Sequence, residues 1–123
     1  MIAYTTVGTN DLDRAAKFYD ELLAEVGATR ALDMGRLIAY ATGEGQPMFG
    51  ICVPSDEKPA TVGNGTMIAL AAENPAAVDR LYAKALELGA TDEGAPGVRG
   101  DVFYIGYFRD LDGNKLNFFC PAG

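Results

Sequence analysis

The 123-residue chain contains no histidine and no tryptophan. Without imidazole it lacks the usual metal ligand and the usual general base near neutral pH. No Ser-His-Asp or Cys-His arrangement can form. Cysteine is scarce as well. Cys52 and Cys120 are too few for a zinc ribbon or a disulfide framework, and they suit small buried hydrophobes in a reducing compartment. Any catalysis therefore falls to carboxylates, Tyr, Lys, Arg or Cys. Positive charge is in short supply: ten Lys and Arg against seventeen Asp and Glu leave a net charge of −7. No nucleic-acid partner is expected without a basic footprint for phosphates. The acidity favours a cationic or neutral ligand over an anionic one. No apolar run is long enough to cross a bilayer. The opening Met1-Ile2-Ala3-Tyr4-Thr5-Thr6 also lacks the basic segment and long apolar stretch of a secretory signal. A cytoplasmic protein without a membrane partner is the expectation.

What is present is ordinary globular material, 49% hydrophobic and 22% charged, in a length that suits one domain over residues 1–123. Residues 2–8 predict a strand and 11–26 a helix, with Asn10 or Asp11 as its N-cap. Leu12, Ala15, Ala16, Tyr19, Leu22, Leu23 and Val26 recur at spacings of three and four and make one apolar stripe. Gly27 ends the helix, and strands follow near 28–34, 36–42 and 48–54. A polar, turn-rich segment at 55–65 reads as a linker. The pattern then restarts with a strand over 66–72 and a helix opened by Asn74-Pro75 and closed by Gly89. Strands near 91–95, 102–109 and 114–120 complete it, with Asp112-Gly113-Asn114 turning the last hairpin.

The restart is visible in the letters. Glu25-Val26-Gly27-Ala28-Thr29 returns as Glu87-Leu88-Gly89-Ala90-Thr91, 62 residues later. Shifted by one, Phe18-Tyr19 aligns with Leu81-Tyr82. Together with the repeated order of elements, this reads as a duplication of a βαβββ module, at about 1–54 and 66–123.

Two stretches carry a resemblance. Asn10-Asp11-Leu12-Asp13-Arg14-Ala15-Ala16-Lys17-Phe18-Tyr19 follows the first strand, and Phe108-Arg109-Asp110-Leu111-Asp112-Gly113-Asn114 precedes the last. With the duplicated architecture, they resemble the vicinal oxygen chelate superfamily of glyoxalase I, bleomycin-resistance proteins and extradiol dioxygenases. That family shows a DLxxAxxFY helix and an F-x-D-P-D-G-N turn; here Leu111 stands at the usual proline. The resemblance implies an α+β fold in which two tandem βαβββ modules form one U-shaped mixed sheet around a cavity, and by analogy a homodimer. It also implies metal ligands on the inner strands. The matching positions hold Tyr4, Met67, Asn117 and either Phe49 or Gly50, none a good partner for a hard or borderline divalent ion. No metal and no cofactor are expected.

Strand alternation selects the residues on the inner wall. Leu116, Phe118 and Cys120 are uniformly apolar and suit packing beneath a helix, leaving Lys115, Asn117 and Phe119 on the other face. The same alternation gives the cavity Tyr4, Thr6, Met67, Ala69, Asn117 and Phe119, a mostly apolar wall with a few directing polar groups. Each has a plainer role open to it: Met67 as gap-filler, Phe119 as core. A second candidate lies in the glycine- and proline-rich loop 94–104, where Arg99, Asp101 and Tyr104 bring a cation, an anion and a phenol together. Its plainer reading, slightly favoured, is an exposed Arg99–Asp101 ion pair. Tyr40 and Tyr107 also stand as cavity candidates.

Three functions follow from these residues. The first is a metal-independent protein that binds a small organic ligand, similar in kind to the bleomycin-resistance members. The second is a lyase or isomerase acting on a small carbonyl compound. It ranks lower because no Asp or Glu falls on the expected inner face, and no catalytic residue can be assigned. The third is a ligand-free interaction module whose cavity is filled by side chains.

Overall fold

Strand and helix signals follow one another in the computed structural model, which describes residues 1–123. The order is β1 (Tyr4–Gly8), α1 (Leu12–Ala24), β2 (Thr29–Asp33), β3 (Leu37–Ala41), β4 (Met48–Cys52), β5 (Ile68–Ala71), α2 (Pro75–Glu87), β6 (Thr91–Arg99), β7 (Phe103–Arg109) and β8 (Lys115–Pro121). The fold is α+β. Each βαβββ module makes its own four-stranded mixed sheet, ordered β1-β4-β3-β2 and β5-β8-β7-β6. In each, the first strand pairs parallel to the last and the other pairs are antiparallel. The chain divides into compact units Met1–Thr61 and Val62–Gly123, a division that falls within the polar 55–65 segment.

In the first unit Asp11, not Asn10, caps α1: its carboxylate accepts from the Arg14 amide at 3.0 Å. Gly27 takes φ 76° just past the helix, which lets the Ala28 amide return to Leu23 O at 3.0 Å. The apolar stripe buries Ala15, Ala16, Tyr19, Leu22 and Leu23 together with Phe18. Val7, Ile38, Tyr40, Phe49 and Ile51 form the sheet's side of that core. The Tyr19 and Phe49 rings lie 4.9 Å apart. Each large buried side chain contributes about 1.5–3 kcal/mol relative to exposure. Asn10 has another task. Its side chain accepts from the Ala60 amide at 2.6 Å and donates to Ala60 O at 3.4 Å, tying the 55–65 segment back to the start of α1.

In the second unit Asn74 caps α2 by accepting from the Ala77 amide at 2.9 Å, with Pro75 in the first turn. Ala77, Val78, Leu81 and Ala85 of α2 are buried, as are Phe108, Leu116, Phe118 and Cys120 of the strands. The turn before β8 is built around Asp110, which is 5% exposed. Its carboxylate accepts from the Asp112 and Asn114 amides, each at 2.9 Å, and from Asn114 Nδ2 at 3.0 Å. The Asp110-to-Asn114 motif is therefore a turn lock.

The structure corrects one expectation here. The 94–104 segment is not a loop, because β6 continues through Gly94-Ala95-Pro96-Gly97 to Arg99. Two register shifts against β7 absorb the proline and the glycines, as β-bulges do. The actual turn is Gly100-Asp101-Val102, where Gly100 and Asp101 both take positive φ, 60° and 63°.

Candidate functional site

Each sheet has one face covered by its helix and one face without a helix, and the sequence candidates divide between them. On the first sheet Tyr4 and Thr6 pair with Met48 and Gly50 of β4, and all four lie on the helix-free face. With Leu32, Met34, Leu37 and Ala39 they line a depression of about 160 Å³. Tyr4 is 60% exposed there and Met34 72%. Gly50 is tightly placed, since a Cβ at that position would stand 3.3 Å from Thr6 Cγ2. Phe49 and Tyr40 face the other way. The Tyr40 hydroxyl donates to Asp20 on α1 at 2.8 Å, and burial followed by the Asp20 carboxylate pushes the phenol well above its ordinary value. Tyr40 is thus a core residue.

On the second sheet the helix-free face carries Ala69 and Ala71 of β5, Lys115, Asn117 and Phe119 of β8, and Ile105, Tyr107 and Arg109 of β7. Asn117 sits in the middle, paired with Ala69 on one side and Tyr107 on the other. It is 1% exposed. Its Nδ2 donates to Met67 Sδ at 3.3 Å, while its Oδ1 is buried with no hydrogen-bond partner. Phe119 stacks obliquely on Phe103, with ring centroids 4.8 Å apart.

Arg99 and Tyr104 separate. The Tyr104 hydroxyl donates to Asp79 of α2 at 2.7 Å, so this side chain lies on the helix-covered face, away from Asn117. That bond, with burial second, holds the phenol above its ordinary value. Arg99 makes no ion pair with Asp101, which corrects the plainer reading of the segment. Its Nη2 donates to Ala95 O at 2.7 Å and its guanidinium carbon lies 5.8 Å from the Tyr107 ring centroid. The Lys115 ammonium lies 5.3 Å from the same centroid. Tyr107 and Lys115 are therefore site candidates that sequence reasoning left open or passed over. The alternation that placed Lys115 beside Asn117 was the available signal.

Beside this face, the Val62–Met67 segment with Arg109 and Lys115 bounds a cavity of about 490 Å³. Two further depressions hold none of the candidates. One of about 340 Å³ lies along α1 and β2, and one of about 570 Å³ lies among Met1–Ala3, Ala31, Leu32 and the segment from Ala41 to Met48.

The family model described as the Glyoxalase/Bleomycin resistance protein/Dioxygenase superfamily matches residues 1–118. The chain belongs to that superfamily. It is similar to the crystal structure of a glyoxalase/bleomycin resistance protein from Albidiferax ferrireducens, with 37% identity, 97% of each chain covered and a TM-score of 0.88. Two more distant structures share the fold. One is a lactoylglutathione lyase from Agrobacterium tumefaciens at 23% identity, covering 97% of this chain and 92% of that one, TM-score 0.72. The other is a superfamily enzyme from Burkholderia phytofirmans at 17% identity, covering 95% of each chain, TM-score 0.75. No match was found among curated proteins.

Membership in this superfamily raises the question of a metal. The positions that the resemblance assigns to ligands hold a phenol (Tyr4), a thioether (Met67), a neutral amide (Asn117) and either Phe49 or Gly50, of which Gly50 lies on the same face as Tyr4. With no carboxylate or imidazole among them, these donors are a poor set for a hard or borderline divalent cation, since a lone neutral amide oxygen is a weak ligand. No three Cys, Asp or Glu side chains are grouped to hold one elsewhere.

Proposed function

We propose that this superfamily member binds a small organic molecule against the helix-free faces of its sheets, without a divalent metal. The observation that carries the reading is the Asn117 amide oxygen, buried without a partner in the centre of one such face. An unmade hydrogen bond at a buried acceptor costs about 1–3 kcal/mol, so such atoms call for an explanation, and one explanation is a ligand that supplies the donor. The neighbouring 490 Å³ cavity falls within the roughly 300–1,000 Å³ of small-molecule sites, which favours a binding protein over a collapsed interaction module. The unsuitable donor set supports the metal-free part of the proposal. On the first sheet, Tyr4 and Thr6 supply the directing hydroxyls of an otherwise apolar wall.

A homodimer in the cytoplasm completes the proposal. The family resemblance supports the dimer, and two free cysteines suit a reducing compartment. No helix of the chain is long and apolar enough to cross a membrane. Native mass spectrometry of protein purified without chelators or a histidine tag tests these points together. The expected mass is that of a dimer, either free or with an organic adduct. A stoichiometric divalent metal in the spectrum would overturn the metal-free reading, and a monomer at micromolar concentration would overturn the dimer.

A further inference from the structure

We infer that the cavity bounded by the Val62–Met67 segment, the end of β7 and the start of β8 binds a small organic monoanion, a carboxylate on an apolar body. The inference rests on the proposed binding function and names its ligand class. It runs against the overall charge of the chain. A net charge of −7 is spread over the whole molecule and screened over about 8–10 Å, whereas a bound ligand meets the charges that line its cavity.

Those lining charges are positive. Arg109 closes β7, Lys115 opens β8, and the two are paired directly across the strands. Their Cβ atoms therefore start about 5 Å apart on one face. Both residues line the same cavity of about 490 Å³, and no Asp or Glu lines it. Like charges set opposite each other on a sheet are destabilising, and this acidic chain has only ten Lys and Arg to place.

Glu93 of β6 offsets one of the two cations. Arg109 Nε and Nη2 reach its two carboxylate oxygens, each at 3.2 Å, and Arg109 Nη1 donates to Gly113 O at 3.1 Å. The guanidinium is thus held in place from two sides. Glu93 is near enough to Lys115 to feel its charge as well, but both of its oxygens face Arg109. Lys115 itself has no ion-pair or hydrogen-bond partner; its ammonium lies 5.3 Å from the Tyr107 ring centroid. One carboxylate against two cations leaves one positive charge on this wall, and a monoanion balances it. A dianion such as a phosphate monoester would leave excess negative charge on a chain that is already acidic.

The rest of the lining supplies shape and apolar surface. The Thr66 amide donates to Gly63 O at 3.3 Å, closing a turn over Asn64 and Gly65, where Gly65 takes φ 97°. A Cβ at Gly63 would collide with Thr66 Oγ1, so glycine there lets the hydroxyl fold back against the turn. Val62 and Met67 flank the turn and are 45% and 41% exposed. Their apolar surface in the same cavity as the two cations suits a ligand with an apolar body and a charged end.

The test is an amide-resolved NMR titration of the full chain with hydrocinnamate, hydrocinnamamide, phenylpropylammonium and phenyl phosphate, at about pH 8 where a phosphate monoester is a dianion. The first three carry one aryl body with a negative, a neutral and a positive end. Hydrocinnamate is expected to shift the Thr66, Met67, Arg109 and Lys115 amides and to bind about tenfold more tightly than its amide, with the ammonium leaving these positions unmoved. Lys115→Met should weaken hydrocinnamate about tenfold, and Lys115→Arg should restore it. Val62→Asp, which adds a carboxylate to the lining and keeps both cations, should weaken it likewise. If the amide or the ammonium binds this cavity as tightly as hydrocinnamate, or if hydrocinnamate is indifferent to both Lys115→Met and Val62→Asp, the anion site is wrong and the small-molecule function stands. Phenyl phosphate binding tenfold more tightly than hydrocinnamate overturns the monoanion assignment. Silence of this cavity and of both helix-free faces toward all four probes overturns the site and the function together.

Discussion

Replacing Asn117 by leucine should stabilise the protein while weakening the proposed ligand binding. Asn117 is 1% exposed and Oδ1 has no partner, so the folded state carries an unmade hydrogen bond of about 1–3 kcal/mol. Its other polar group donates to a thioether, a weak acceptor, and losing that 3.3 Å contact should cost under about 1 kcal/mol. Leucine shares asparagine's branching and number of side-chain heavy atoms, and is better suited to a buried strand position between Ala69 and Tyr107. The balance is a gain of about 1–2 kcal/mol. For a chain of this length each kcal/mol moves Tm by about 3–5 °C, so the rise should be about 3–10 °C. Differential scanning calorimetry reads it, and chemical denaturation should show a higher midpoint at unchanged m. A fall in Tm of more than about 3 °C would refute the reasoning, because it would mean that the amide oxygen is satisfied in the folded protein. Stability given up at a polar position is a common signature of function.

Three further outcomes follow from named contacts. Asp110→Ala should cost about 2–4 kcal/mol in chemical denaturation, because two backbone amides and Asn114 Nδ2 lose one shared acceptor; a loss under about 1 kcal/mol would refute the turn lock. Asn10→Ala should raise hydrogen exchange at the Ala60 amide at least about tenfold, and unchanged protection would mean the 55–65 segment is held otherwise. Asp20 has its carboxyl held below the ordinary value of 3.8, chiefly by the Arg30 guanidinium, so its contribution is present above that value and lost as pH falls through the folded one. The stability difference between the native chain and Asp20→Asn should therefore shrink as pH falls from about 6 to below 3.8, modestly because the side chain is 41% exposed. A difference that stays constant would show that the ion pair contributes nothing.

Much of the fold was legible because the signals are local. The three-and-four spacing of α1, the Asn74-Pro75 start of α2 and the glycines after each helix act within one or two turns of chain. Period-two alternation likewise separated Leu116, Phe118 and Cys120, buried beneath α2, from Lys115, Asn117 and Phe119. The choice between Asn10 and Asp11 as cap was not legible, since both side chains can accept an amide. It was decided by Ala60, fifty residues away, which engages Asn10.

The site shows the same division. Period-two alternation, with the apolar set on β8 and the resemblance to choose between faces, placed Asn117 on a helix-free face and Tyr4 with Thr6 on another, because a strand's alternation is a property of its own backbone. Tertiary structure decided the rest. Tyr104 turned toward Asp79, β6 ran on through Pro96, Arg99 lay over Gly97 toward Tyr107, and Asn117 Oδ1 was left without a donor. Each of these depends on which strand lies alongside and in what register. Bulges set that register, and a bulge depends on the partner strand as much as on the residues that form it.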